Sequence, residues 1–124
     1  MTLLETAVWT TVCRLDDLAP ERGAAALVDG EQVALFRLLD GRVLAVQQLD
    51  PFSDAHVISR GIVGSRSVDG QEVPTVASPM YKQVFDLTTG RCLDVAGKEP
   101  ARDLAPDLRT WPVRVGDGVV EVGR

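Results

Sequence analysis

The chain has 124 residues, 45% apolar and 25% charged, a composition that suits one folded domain over residues 1–124 and excludes both disorder and a second independent core. Eighteen acidic residues against thirteen basic ones leave a net charge of −5, the wrong sign for a partner such as nucleic acid or an anionic membrane. The longest wholly apolar stretch, residues 24–28, falls far short of the ~20 residues that cross a bilayer.

Met1-Thr2-Leu3-Leu4-Glu5 has neither a basic region nor a sustained apolar core, so no secretory leader is expected and the chain reads as cytoplasmic. Cys13 and Cys92 lie 79 positions apart with no metal-ligand spacing, which in a reducing compartment predicts two buried thiols and no disulfide. Residues 16–19 suit one helical turn capped by Asp16 and ended by Pro20 and Gly23. Four Asp-Gly pairs then punctuate the chain, at Asp29-Gly30, Asp40-Gly41, Asp69-Gly70 and Asp117-Gly118, each flanked by β-favouring residues. Both residue types tolerate positive φ, so each pair predicts a hairpin, and the set predicts an all-β fold with its core over about residues 8–122.

Residues 33–39, between the first two pairs, are apolar on both alternating faces, as expected of a central strand covered on two sides. Residues 43–46 continue the sheet. From Leu49 to about Ser65 no period of 2 or 3.6 persists, and the stretch reads as a long loop, too apolar for disorder because it holds Phe52, Val57, Ile58, Ile62 and Val63. A strand over residues 73–77, a turn at Ser78-Pro79-Met80-Tyr81, a strand over 83–87 and a Thr88-Thr89-Gly90 turn follow. Pro100 and Pro106 limit residues 101–108 to a turn. Trp111, Val113 and Val115 share one face and, through Gly116-Asp117-Gly118, meet Val120 and Val122 in a closing hairpin.

Catalytic parts are scarce. His56 is the sole histidine, which excludes histidine pairs and two-histidine metal sites. Beside Asp54 it offers a general base on a loop, without a nucleophile: Ser53, Ser59 and Ser78 lack the context of a nucleophile elbow. Gly61-Ile62-Val63-Gly64 has neither the spacing nor the lysine of a phosphate loop, which points to a backbone role. Asp50 and Asp54 are too few carboxylates for an oxygen-ligand metal site.

The informative pattern joins two loops. Asp50-Pro51-Phe52 follows a strand, and 28 residues on comes Ser78-Pro79-Met80-Tyr81, then Phe85-Asp86-Leu87-Thr88-Thr89-Gly90. The arrangement resembles the Rieske ferredoxin fold, an antiparallel β-sandwich or partial barrel with long loops at one end. In that fold two Cys and two His on these loops hold a two-iron, two-sulfur cluster. Asp50 and Phe52 stand where the first Cys and His would be, Ser78 and Tyr81 where the second pair would be. With Ser59-Arg60-Gly61-Ile62-Val63-Gly64 and Tyr81-Lys82-Gln83 added, the chain resembles the small subunits of assimilatory NAD(P)H-dependent nitrite reductases over most of its length.

The resemblance implies a subunit without an active site, metal or cofactor of its own. It would serve a large subunit that carries flavin, siroheme and an iron–sulfur cluster and reduces nitrite to ammonia. Loop residues Phe52, Ile58, Arg60, Ile62, Met80, Tyr81 and Lys82 are then the candidates for partner contact, since aromatic residues and Met are enriched at interface cores. Two other readings are an electron carrier with an atypical metal site at Asp50, Asp54 and His56, and a small independent β-fold enzyme. If the Rieske-like frame holds, the two loops lie side by side and a contact from Asp50 or Phe52 to Ser78 or Tyr81 closes the gap between them.

Overall fold

The computed structural model describes residues 8–124. The N-terminal stretch read above as lacking a secretory leader lies outside the described residues. Strands β1 (Trp9–Arg14), β2 (Gly23–Val28), β3 (Glu31–Arg37) and β4 (Val43–Gln47) are followed by the short β5 (Leu49–Asp50) and β6 (Ala55–His56). Then come β7 (Ile62–Val68), β8 (Gln71–Ala77), β9 (Val84–Asp86), β10 (Cys92–Asp94), β11 (Thr110–Trp111), β12 (Val113–Gly116) and β13 (Val119–Gly123). Single 3-10 turns occupy Leu15–Asp17 and Ile58–Arg60.

Three antiparallel sheets stack around two apolar layers. The central sheet runs in the order β11-β4-β3-β2, one flanking sheet β1-β13-β12 and the other β10-β9-β8-β7. β3 shows why its sequence carries no polar face. Val33 and Leu35 pack with Val43, Ala45, Trp111, Val120 and Val122 on one side, while Ala34 and Phe36 pack with Val46, Val76, Phe85 and Leu87 on the other. Each fully buried side chain of this size contributes roughly 1.5–3 kcal/mol of hydrophobic stabilisation, and β3 supplies two layers at once.

All four Asp-Gly pairs sit in hairpin connections. At Asp29-Gly30, Asp69-Gly70 and Asp117-Gly118 both residues have positive φ, between 51° and 81°, the geometry of type I′ turns. Asp40-Gly41 differs: only Gly41 is left-handed, and the wider turn is closed by Leu38 N–H on the Arg42 carbonyl and by Arg42 N–H on the Asp40 carboxylate.

Four expectations need correction. The loop read over residues 49–65 ends early, because Ile62–Val68 is a strand paired residue for residue with Gln71–Ala77. β7 is the edge of its sheet and mostly exposed, so Gly64, Ser65 and Ser67 are tolerated there and leave no period to read. β10 was not foreseen either, being three residues placed by pairing with β9. The residue 16–19 turn is instead Leu15–Asp17, and the Asp17 carboxylate accepts the Arg14 N–H where an Asp16 cap was expected. The closing hairpin is split: Trp111 pairs with Ala45 in the central sheet, whereas Val113 pairs with Val122. Pro112 between them cannot donate to a ladder, and the chain changes sheets there.

Cys13 and Cys92 are half-buried free thiols that pack against different apolar layers. Burial and neighbouring Asp17 push the Cys13 thiol above its ordinary range. Burial does the same at Cys92, partly opposed by the thiol's hydrogen bond to the Asp94 carbonyl and reinforced by the nearby negative charges, Asp107 foremost.

Candidate functional site

The loops after β5 and β8 lie side by side at one end of the sandwich. Asp50 is buried, and every hydrogen bond it makes serves the loops. Its Oδ1 accepts the Phe52 N–H at 2.9 Å, and its backbone carbonyl accepts the Asp54 N–H at 2.8 Å, which closes the first loop on itself. Oδ2 accepts the Ser53 hydroxyl at 2.9 Å and, across 28 residues of sequence, the Ser78 hydroxyl at 2.6 Å. A carboxylate acceptor makes these stronger than neutral hydrogen bonds. The cross-loop contact expected from the sequence is this Ser78–Asp50 bond.

The second loop is closed by its own backbone: Ser78 N–H donates to the Gln83 carbonyl, Lys82 N–H to the Ser78 carbonyl, and Met80 N–H to the Ser78 hydroxyl. Ser78 and Gln83 at its base are buried, while Met80, Tyr81 and Lys82 at its tip are exposed. Gln83 donates through Nε2 to the Val95 carbonyl at 3.3 Å. Its Oε1 is buried without a partner.

A third segment, after β10, buttresses the first loop, and nothing in the sequence pattern announces it. Ala101 N–H donates to the Pro51 carbonyl at 2.7 Å. Arg102 forks onto the Asp54 carboxylate with contacts of 2.9 and 2.5 Å. That guanidinium holds the Asp54 carboxyl below the ordinary carboxylate range. Gln48, also unremarked in the sequence, braces the base of the site. Its side chain exchanges two hydrogen bonds with Ser59, and its carbonyl accepts the Val57 and Ile58 N–H groups.

Gly61 explains part of the Arg60–Gly64 motif. A Cβ there would stand 2.5 Å from the Ala77 carbonyl oxygen and 2.6 Å from Val76 Cγ2, so only glycine lets the 3-10 turn meet β8. Gly90 is needed for two reasons: its φ is +80°, and a Cβ there would collide with the Leu108 carbonyl oxygen.

The candidate contact residues divide. Phe52 is 5% exposed and Ile58 fully buried. Both belong to the core, and their assignment to a partner-facing surface is corrected. The Phe52 ring tilts against Phe85 with centroids 6.2 Å apart. Arg60, Ile62, Met80, Tyr81 and Lys82 are exposed. Ile62 stands opposite Ala77 in the β7–β8 register, one residue before the second loop. Arg60 and Ile62 line an open groove of about 520 Å³ with Glu21, Arg22, Ser59 and Val63.

The atypical metal reading finds no support in the geometry. Asp50 is committed to three donors, Asp54 to Arg102, and His56 is exposed. Among the described residues no group of three or more His, Cys, Asp or Glu is placed to hold a metal ion.

The family model for a Rieske-like [2Fe-2S] domain matches residues 8–123. The nitrite reductase (NADH) small subunit of Salmonella typhimurium is 37% identical over 115 residues, 92% of this chain and 95% of that one. The chain is a Rieske-like domain of the nitrite reductase small-subunit family. The crystal structure of a family member from Mycobacterium tuberculosis, assigned as an NADH-dependent nitrite reductase small subunit, superposes with a TM-score of 0.78 at 47% identity, covering 95% of this chain and 96% of that one. A stretch of the Klebsiella oxytoca nitrite reductase [NAD(P)H] large subunit is 41% identical over 115 residues, 93% of this chain but 11% of that longer polypeptide.

Membership of a Rieske-like family raises the question whether the residues fit the cluster, and they do not. A Rieske centre takes two thiolates and two imidazoles. The corresponding positions of this family member offer a carboxylate, a phenyl ring, a hydroxyl and a phenol. Two of these four groups are spent on each other, a third is packed on Phe85, and the fourth points outward.

Proposed function

We propose that this chain is the non-catalytic small subunit of a cytoplasmic NAD(P)H-dependent nitrite reductase in nitrate assimilation. It acts as a single domain bound to a large subunit that carries the flavin, siroheme and iron–sulfur cluster and reduces nitrite to ammonia. One observation carries the reading: the match to a named small subunit runs over nearly the full length of both chains. The Klebsiella large subunit supports the partnership, because it contains the same module within one polypeptide. The mismatch between the loop residues and the Rieske ligand set supports a subunit without a cofactor of its own. The pyridine-nucleotide reductant named for the relatives fits a cytoplasmic location. No helix among the described residues is long and apolar enough to cross a membrane. The exposed loop-end residues Arg60, Ile62, Met80, Tyr81 and Lys82 form the surface turned to the large subunit.

The test is co-expression with the large subunit of the same organism, followed by affinity purification and an assay of nitrite-dependent NAD(P)H oxidation. Stoichiometric co-purification, with activity that falls when this chain is omitted, is the expected result. A large subunit that neither binds the chain nor needs it overturns the proposal. The chain purified alone is expected to be colourless. A visible absorption band with about two irons per chain would show that the loops hold a cluster after all.

A further inference from the structure

The sequence contains eleven arginines but only two lysines, Lys82 and Lys98. The fold brings Lys98 to the side chain that Lys82 follows in the chain. Lys82 follows Tyr81 at the tip of the second loop, and the Lys98 ammonium lies 4.6 Å from the centroid of the Tyr81 ring. The turn that carries Lys98 is closed by its own N–H on the Val95 carbonyl, and the same carbonyl accepts Gln83 Nε2 from the base of the Tyr81 loop. Two segments separated by a dozen residues thereby present one surface: Met80, Tyr81 and Val95, each between 43% and 48% exposed, with the Lys98 ammonium over the ring and exposed Lys82 next to Tyr81 in the chain.

Two features mark this surface as built for contact outside the chain. The first is uncompensated charge. Among the described residues five of the eleven arginines pair with a carboxylate and six do not; neither lysine does, and the two stand at one exposed apolar patch in a protein of net charge −5. The second is backbone conformation. Lys82 has φ of +65° and Ala96, in the Val95–Lys98 turn, has φ of +52°. Among the described residues four of the eight non-glycine residues in that region are aspartates, which tolerate it; a lysine does so only with strain. The Lys82 ammonium makes no hydrogen bond or ion pair within the described chain, so the fold gains nothing from this side chain to offset its backbone. Strain of this kind points to a use elsewhere.

We infer that the Met80-Tyr81-Lys82 tip and the Val95–Lys98 turn form one docking patch for an apolar pocket rimmed by carboxylates on the nitrite reductase large subunit. Tyr81 is the anchor and the two lysines meet the acidic rim. The inference rests on the small-subunit reading and names the chemistry of its partner. Two unpaired ammonium groups beside an exposed aromatic ring draw a carboxylate rim to this patch of a net acidic protein, which favours one orientation as well as a faster encounter. Self-association through the same patch is disfavoured, because a two-fold axis there sets lysines against lysines. The lysine stacked on Tyr81 also limits the ring's freedom before binding.

The experiment measures binding of the full chain to the purified large-subunit holoenzyme at low and high sodium chloride. Wild type, Lys82→Glu/Lys98→Glu, Lys82→Gly and Tyr81→Ala are compared, with thermal unfolding of each chain as a control. Wild-type binding is expected to weaken with salt, and the double reversal to bind at least tenfold more weakly at low salt with a flattened salt dependence. Lys82→Gly relieves the backbone, so it is expected to unfold no earlier than wild type while binding several-fold more weakly, a split that a merely structural lysine would not show. Wild type that binds, together with a double reversal and a Lys82→Gly chain that bind equally well with the same salt dependence, overturns the patch and leaves the subunit reading intact. Wild type that fails to bind the large subunit overturns the subunit reading, and the patch with it.

Discussion

The two loops at the end of the sandwich begin alike and finish in opposite environments. Asp50, Pro51 and Phe52 are all buried, whereas after Ser78 the chain turns out and Pro79, Met80, Tyr81 and Lys82 are all exposed. The first loop lies under the segment that contributes Ala101 and Arg102, and its aromatic ring reaches Phe85 between the central and flanking sheets. The second has no such cover and is held from below by Gln83 and by its own backbone bonds. One aromatic thus works for stability and the other is available for contact, although both occupy corresponding positions in the motif. Residue type and spacing do not distinguish them. What distinguishes them is which neighbouring segment lies over each loop.

That contrast is breakable by mutation. Phe52→Ala opens a cavity beside Phe85 and should cost about 3–5 kcal/mol in urea unfolding, the largest effect expected here; a loss below 1 kcal/mol would return Phe52 to the surface. Ser78→Ala removes the one side-chain bond between the loops and leaves Asp50 Oδ2 with Ser53 alone. A loss of about 1.5–3 kcal/mol is expected, together with faster amide exchange in both loops. Gly61→Ala drives a methyl group into the Ala77 carbonyl and should cost about 1–3 kcal/mol, sharpening the view that this motif serves close packing.

Smaller effects test the outward side. Tyr81→Ala should change stability by no more than about 0.5 kcal/mol while weakening the complex, the reverse of Phe52→Ala. The smallest effect belongs to the exposed Arg102–Asp54 pair. Asp54 is held below its ordinary value of 3.8 in the folded chain, so the stabilising contribution is fully present above that value. It is lost as the pH falls through the lower, folded value. In Arg102→Ala the Asp54 carboxyl should titrate nearer its ordinary value by NMR, with the acid-dependent part of stability at this site abolished and stability at neutral pH little altered.

Much of this architecture is legible in residue order alone. Asp-Gly pairs announce hairpins because their backbone preferences are local, and the unbroken apolar run of β3 announces a strand covered on both faces because burial leaves no room for alternation. The paired Asp50-Pro51-Phe52 and Ser78-Pro79-Met80-Tyr81 motifs announce adjacent loops through the family resemblance. The edge strand β7 and the short β10 stay hidden, since their partners impose a conformation that their own residues do not favour. Burial of Phe52 and Ile58, the cover over the first loop, and the placement of Lys98 over Tyr81 were likewise decided only by the tertiary structure. Each depends on segments far apart in the chain, and contact across such separations is set by how the three sheets stack, which no local preference encodes.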